Sequence, residues 1–128
     1  MVFHAAAALT RLKTTGATGA SLGEMFAALA DPARRGVIDL LRRKPRRAGE
    51  LAGTLAISAP RMSQHLRVLR DSGLIQEDAS EGDARVRVYR LRPEPFTALR
   101  GWLDEVEEFW QAELAAFKAH AERSRPKR

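Results

Sequence analysis

A mainly helical fold closed by a small β-hairpin, in the order α-α-α-α-β-β-α, is what this 128-residue sequence predicts. Three observations carry the prediction. Helix start and stop signals recur at short intervals from Ser21 to Gly73. The hydrophobic period then changes to alternation between Leu74 and Leu91. Beyond Pro95, apolar residues return at helical spacing as far as Phe117.

The elements follow in order. Ser21-Leu22-Gly23-Glu24 reads as a capping box, in which the hydroxyl takes an orphan backbone N–H and Glu24 reaches back, so a helix starts there and runs to about Ala30. Asp31-Pro32 restarts the chain, because aspartate is a good N-cap and proline suits the first helical position. Val37, Ile38, Leu40 and Leu41 give this second helix an apolar face up to Lys44, and Pro45 ends it. A short third helix reads from about Ala48 to Leu55, with Leu51 and Leu55 one turn apart. Ile57 leads to Ser58, the cap of a fourth helix that passes through Pro60 to Ser72, and Gly73 supplies a stop that accepts positive φ. Helix, tight connection and helix make a helix-turn-helix. Leu74-Ile75 opens a strand, Glu81-Gly82-Asp83 can turn, and Val86, Val88, Tyr89 and Leu91 form the returning strand. A hairpin in this place is a wing, so the expected class is a winged helix-turn-helix. Pro93 and Pro95 punctuate the exit, and one long helix reads from Phe96 to about Glu122.

The expected organisation is a single domain over residues 21–122, with a terminal helix over about 95–122, preceded by a mobile extension (1–20) and followed by a basic tail (123–128). Residues 1–20 contain no acidic residue and show no sustained period. Charged residues at 30% and an apolar run no longer than Ala5 to Leu9 fall far short of the ~20 apolar residues of a membrane span, so no membrane partner is expected. The absence of cysteine excludes disulfides, thiolate metal sites and thiol nucleophiles, and it fits a reducing, cytoplasmic compartment.

Charge is segregated along the chain. Residues 32–92 carry 14 Lys/Arg against 7 Asp/Glu, whereas residues 96–122 carry 2 against 6. A basic middle and an acidic last helix suit a polyanion-binding module with a separate assembly element, although solvated faces alone would also give a basic chain. On the fourth helix Met62, Leu66, Leu69 and Gly73 fall on one side at 100° per residue, which is the buried side. Pro60, Gln64, Arg67 and Asp71 lie opposite, flanked by Arg61 and Ser63. A helix entering a major groove needs such groups: Gln64 can pair bidentately with adenine, Arg61 or Arg67 with guanine or phosphate, and Ser58 and Ser63 with phosphate. Arg85 and Arg87 alternate with Val86 and Val88, so both cations are expected on one side of a strand. The expected DNA-contacting set is Ser58, Ala59, Arg61, Ser63, Gln64, His65, Arg67, Arg70, Arg85 and Arg87, with His65 either packing or contacting phosphate.

Leu29-Ala30-Asp31-Pro32-Ala33-Arg34-Arg35, then Ser58-Ala59-Pro60-Arg61-Met62-Ser63-Gln64-His65-Leu66-Arg67-Val68-Leu69, then Gly73-Leu74-Ile75 resemble the ArsR/SmtB family of winged-helix repressors over roughly Ser21 to His120. The resemblance implies a homodimer assembled by the first and last helices, with Phe26 on the first, bound to an inverted-repeat operator of duplex DNA and repressing its own transcript. Metal-sensing members carry cysteines beside the recognition helix, or His and carboxylate ligands on the terminal helix. This chain has no cysteine and offers there only His120 with Glu113, Glu122 and the cluster from Asp104 to Glu108. It therefore looks like members without a metal, and no metal or cofactor is expected.

Phe96, Leu103, Trp110 and Phe117 recur every seven residues on the last helix, with Leu99 and Val106 between them. Trp102, Phe109 and Leu114 widen the stripe. A helix of about 25 residues spans nearly 40 Å, more than so small a core needs, so the stripe should meet a second copy. The expected dimer interface is Phe26, Phe96, Leu99, Leu103, Val106, Trp110 and Phe117. Ser63 and His65 are two residues apart on a helix and diverge, so they form no nucleophile–base pair. No phosphate loop or paired-carboxylate cleft appears, and an enzyme is not expected. A metal- or small-ligand-responsive sensor and a protein-interaction module are the other functions open to this fold.

Overall fold

The computed structural model describes residues 21–125. The expected extension over 1–20 and the end of the expected basic tail lie outside the described residues. Five helices and one antiparallel hairpin are described: α1 (Leu22–Leu29), α2 (Pro32–Leu41), α3 (Ala48–Leu55), α4 (Ala59–Asp71), β1 (Ile75–Ala79), β2 (Arg87–Leu91) and α5 (Pro93–Arg123). This is the expected order. The chain forms two compact units that divide between Ala98 and Leu99, within α5.

In the first unit the caps act as the residue types dictate. Ser21 is extended and its Oγ accepts the Glu24 N–H at 3.0 Å. Asp31 Oδ1 accepts from Ala33 N at 2.8 Å and Arg34 N at 3.4 Å, with Pro32 in the first turn. The end of α1 is closed by side chains from α2. Arg34 Nε donates to Ala28 O at 2.6 Å, and Arg35 Nη1 donates to Leu29 O at 2.8 Å and Ala30 O at 3.1 Å. Cations at a helix C-terminus meet both its orphan carbonyls and its dipole.

The core is built from Leu22, Met25 and Ala28 of α1, Val37 and Leu41 of α2, Leu51 and Ala52 of α3, Met62, Leu66 and Leu69 of α4, and Leu74 and Ile75. Within α1, α2 and α4 these residues recur every three or four positions, so each of those helices turns one face inward. Helix α3 packs on both α2 and α4, and α4 also packs on β1. At Gly36 an added Cβ would lie 3.0 Å from Leu55 Cδ2, so α2 and α3 approach closely there.

Two boundaries differ from expectation. Helix α2 ends at Leu41 rather than Lys44, and a turn through Arg42 and Arg43 leads to Pro45. Proline disfavours helical geometry in the residue before it, so the break reaches upstream of Pro45 itself. At the other end, α5 begins at Pro93 rather than after Pro95. First-turn N–H groups lack helical partners in any case, so both prolines start this helix instead of separating it from the hairpin.

The hairpin pairs Ile75 with Leu91, Glu77 with Tyr89 and Ala79 with Arg87. A further bridge joins Arg46 to Tyr89, with Tyr89 N donating to Arg46 O at 2.7 Å and Arg46 N to Tyr89 O at 3.1 Å. The α2–α3 connection thus lines the hairpin's second strand, a contact the sequence pattern did not signal.

In the second unit α5 continues to Arg123, and with 31 residues in all its axis is about 46 Å long at 1.5 Å per residue. Leu103, Val106, Phe109, Trp110, Leu114 and Phe117 are exposed, Phe117 at 72%. Among the described residues no helix is long and apolar enough to cross a membrane.

Candidate nucleic-acid interface

The connection between α3 and α4 is three residues long, and its shape follows from its backbone. Ala56 is left-handed at φ 53°, ψ 47°, and the Ile57 N–H returns to Ala52 O at 3.0 Å. This closes α3 with a Schellman-type turn built on alanine where glycine is usual. Ser58 then caps α4, its Oγ accepting the Arg61 N–H at 3.4 Å. The turn fixes where the N-terminus of α4 starts, and packing fixes its rotation. Met62, Leu66 and Leu69 are buried, and Gly73, at φ 77°, lies buried just past the helix. Pro60, Arg61, Ser63, Gln64, Arg67 and Asp71 are exposed. Ser58 and Ala59, at the helix entrance, are exposed as well.

His65 belongs to the other side. It is 9% exposed, among the buried residues of α4, so of its two expected roles burial leaves packing rather than phosphate contact.

The hairpin also departs in part from expectation. Arg87 opens β2, but Arg85 lies outside the strand in the preceding turn, so the two do not project from one strand face. Asp83 shapes that turn: its Oδ1 accepts from Arg85 N at 3.0 Å and Arg85 Nε at 3.4 Å. Such an aspartate turn competes with strand pairing, which is why alternation of Arg and Val did not extend the strand. Arg87 Nε donates to Glu77 Oε1 at 3.2 Å, and Arg70 Nη1 to Glu77 Oε2 at 3.2 Å. On the opposite face Arg90 Nε donates to Asp78 Oδ2 at 3.2 Å, and Gln76 Nε2 donates to the same oxygen at 2.9 Å. The Gln76 hydrogen bond, with Arg90 adding to it against burial, holds the Asp78 carboxyl below its ordinary range. Burial, with the Glu77 charge beside it, pushes the Tyr89 phenol up.

These pairings sort the basic residues. Arg34 and Arg35 serve the end of α1, Arg46 donates to Leu40 O, and Arg70, Arg85, Arg87 and Arg90 face carboxylates. Arg43, Lys44, Arg47, Arg61 and Arg67 are exposed and form no ion pair with a described residue. Arg61 and Arg67 flank Ser63 and Gln64 on α4, so a helix face with donors, acceptors and uncompensated positive charge stands opposite the core. Charge counts point to the segment containing Arg43, Lys44 and Arg47 but cannot separate these cations from paired ones. Among the described residues no cluster of His, Asp or Glu gathers as metal ligands.

Residues 31–77 match the model of the family described as "Bacterial regulatory protein, arsR family". Over 90 residues the chain is 41% identical to the HTH-type transcriptional regulator Rv2034 of Mycobacterium tuberculosis, covering 70% of this chain and 78% of that protein. The chain belongs to the ArsR family. This ArsR-family chain is also 36% identical over 56 residues to the transcriptional repressor SdpR of Bacillus subtilis, covering 44% of this chain and 62% of the repressor. Its fold matches that of an ArsR-like transcriptional regulator from Rhodococcus sp. RHA1 with a TM-score of 0.70 and 29% identity, covering 81% of this chain and 93% of that one. The ArsR-family chain is a DNA-binding transcriptional regulator with a winged-helix fold and is not an enzyme.

Proposed function

We propose that this ArsR-family regulator is a cytoplasmic homodimeric repressor of an inverted-repeat operator, acting on its own transcript. Its α4 enters the major groove, where Gln64 and Arg67 meet base edges. Ser58, Ala59, Arg61 and Ser63 hold the helix N-terminus against phosphate, and Arg70, Arg85 and Arg87 extend the contact along the wing. Phe26 and the exposed stripe of Leu103, Val106, Trp110 and Phe117 on α5 meet the same surfaces of a second copy, with half-buried Phe96 at the margin. Leu99, 8% exposed in the single chain, offers the least surface of this set to a second copy.

The observation that carries this reading is the exposed face of α4, where Gln64 lies between two arginines without ion-pair partners among the described residues. The test is binding to duplex DNA from upstream of the chain's own gene, measured across salt concentrations. Arg67→Ala is expected to weaken binding about tenfold and, where the contact is to phosphate, to flatten the salt dependence by about one unit of slope. Binding that is absent or insensitive to salt would overturn the proposal.

A further inference from the structure

One carboxylate joins two parts of the candidate interface. Arg70 stands in the last turn of α4 and Arg87 opens β2, and Glu77 accepts from both, one oxygen each, at 3.2 Å. In the sheet register Glu77 lies opposite Tyr89, and Arg87 is its diagonal neighbour on the same face. The Glu77 side chain is 25% exposed, against 46% for Arg70 and 54% for Arg87. The acceptor therefore sits beneath two guanidinium groups that are more open to solvent. Arginine offers five donors in a rigid fork. Glu77 engages Nη1 of Arg70 and Nε of Arg87, and the other guanidinium nitrogens make no hydrogen bond to a described residue.

We infer that Glu77 is a positioning residue for DNA recognition, tying the wing to α4 and holding Arg70 and Arg87 with their unused donors outward. This rests on the DNA contacts proposed above. A guanidinium fixed on one edge matches one arrangement of phosphates, whereas a loose one adapts to many and loses more freedom on binding. The carboxylate also repels phosphate of any sequence. On the matched duplex the two effects oppose and positioning outweighs repulsion, whereas on arbitrary DNA repulsion is left alone: Glu77 raises affinity for the duplex whose backbone meets the fixed arginines and lowers it for other DNA. Its role is in the ratio of the two.

The test uses the full chain, a duplex selected by it from a random pool, and a scrambled duplex of equal length, with binding followed by fluorescence anisotropy at several salt concentrations. Glu77→Gln is expected to weaken the selected duplex about tenfold and to tighten the scrambled one about threefold. Partial unfolding cannot imitate this, because a smaller active fraction lowers both affinities alike. Glu77→Asp, a methylene too short to span both arginines, keeps the charge and is expected to weaken the selected duplex without tightening the scrambled one. Arg87→Ala should change the ratio less in the Glu77→Gln background than in the native one. Parallel changes on both duplexes, or full additivity with Arg87→Ala, would overturn the role of Glu77 and leave the DNA reading standing. Absence of salt-sensitive binding by the unsubstituted chain would overturn both.

Discussion

Two residues set local backbone geometry by different means, Asp31 ahead of the helix-turn-helix and Ala56 within its turn. Asp31 caps α2 through the N–H groups of Ala33 and Arg34. Burial raises its pKa, yet those bonds, with His65 and Arg34 nearby, outweigh it and hold the carboxyl below its ordinary value. A carboxyl whose pKa is lower folded than unfolded stabilises fully above the unfolded value and loses that contribution as pH falls through the folded one. Asp31→Asn is therefore expected to unfold with a shallower loss of stability below about pH 4, followed by thermal melts from pH 6 to 3. Ala56 is strained by its left-handed backbone, which for a residue with Cβ costs about 1–2 kcal/mol. Glycine removes that cost and adds conformational entropy to the unfolded chain. The net expectation for Ala56→Gly is a gain of about 0.5–1 kcal/mol by urea unfolding, and Ala56→Val should lose stability.

At the scale of elements, what the chain states locally is legible and what depends on distant partners is not. Ser21, Asp31, Ser58 and Gly73 mark ends through their own chemistry, and the helices they bound occur where those signals fall. The inward face of α4 was readable because Met62, Leu66 and Leu69 obey the helical period. His65 was legible only as an alternative, since a polar residue next to that stripe suits either packing or phosphate contact and the sequence pattern does not choose between them. Nor could the pattern show that Glu77 would take Arg70 and Arg87, because ion pairs across elements follow from register and packing. The strand around Arg85 failed for a local reason, the Asp83 turn, which competes with alternation. The α4 assignment has a direct check. Leu69 is fully buried where α4 meets the rest of the core, so Leu69→Ala is expected to cost about 2–5 kcal/mol in urea unfolding. Substitution of exposed Gln64 by alanine should change stability by less than about 0.5 kcal/mol while weakening DNA binding.

For the molecule as a whole, the proposed homodimer must turn one basic reading head into an operator-binding assembly. A single winged helix presents one α4 to one stretch of groove, and two related half-sites require two copies about one helical turn, roughly 34–36 Å, apart. Charge and polarity along the chain suit the proposed division of these two tasks. Positive charge concentrates in residues 32–92, while residues 96–122 carry net negative charge around an apolar stripe. Trp110 is 59% exposed and Phe117 72% exposed in the single chain, along with Leu103, Phe109 and Leu114. Large aromatics gain most from burial in an interface, and a charge placed among them must be desolvated unpaired. Trp110→Glu is therefore expected to shift the protein from dimer to monomer in sedimentation at micromolar concentration, with its helical circular dichroism largely kept. If both copies contribute phosphate contacts, the same substitution should roughly halve the salt slope for the preferred duplex, because a monomer carries half the cations. A variant that becomes monomeric yet binds with unchanged slope and affinity would show that one head suffices. A variant that remains dimeric would move the assembly surface away from this stripe.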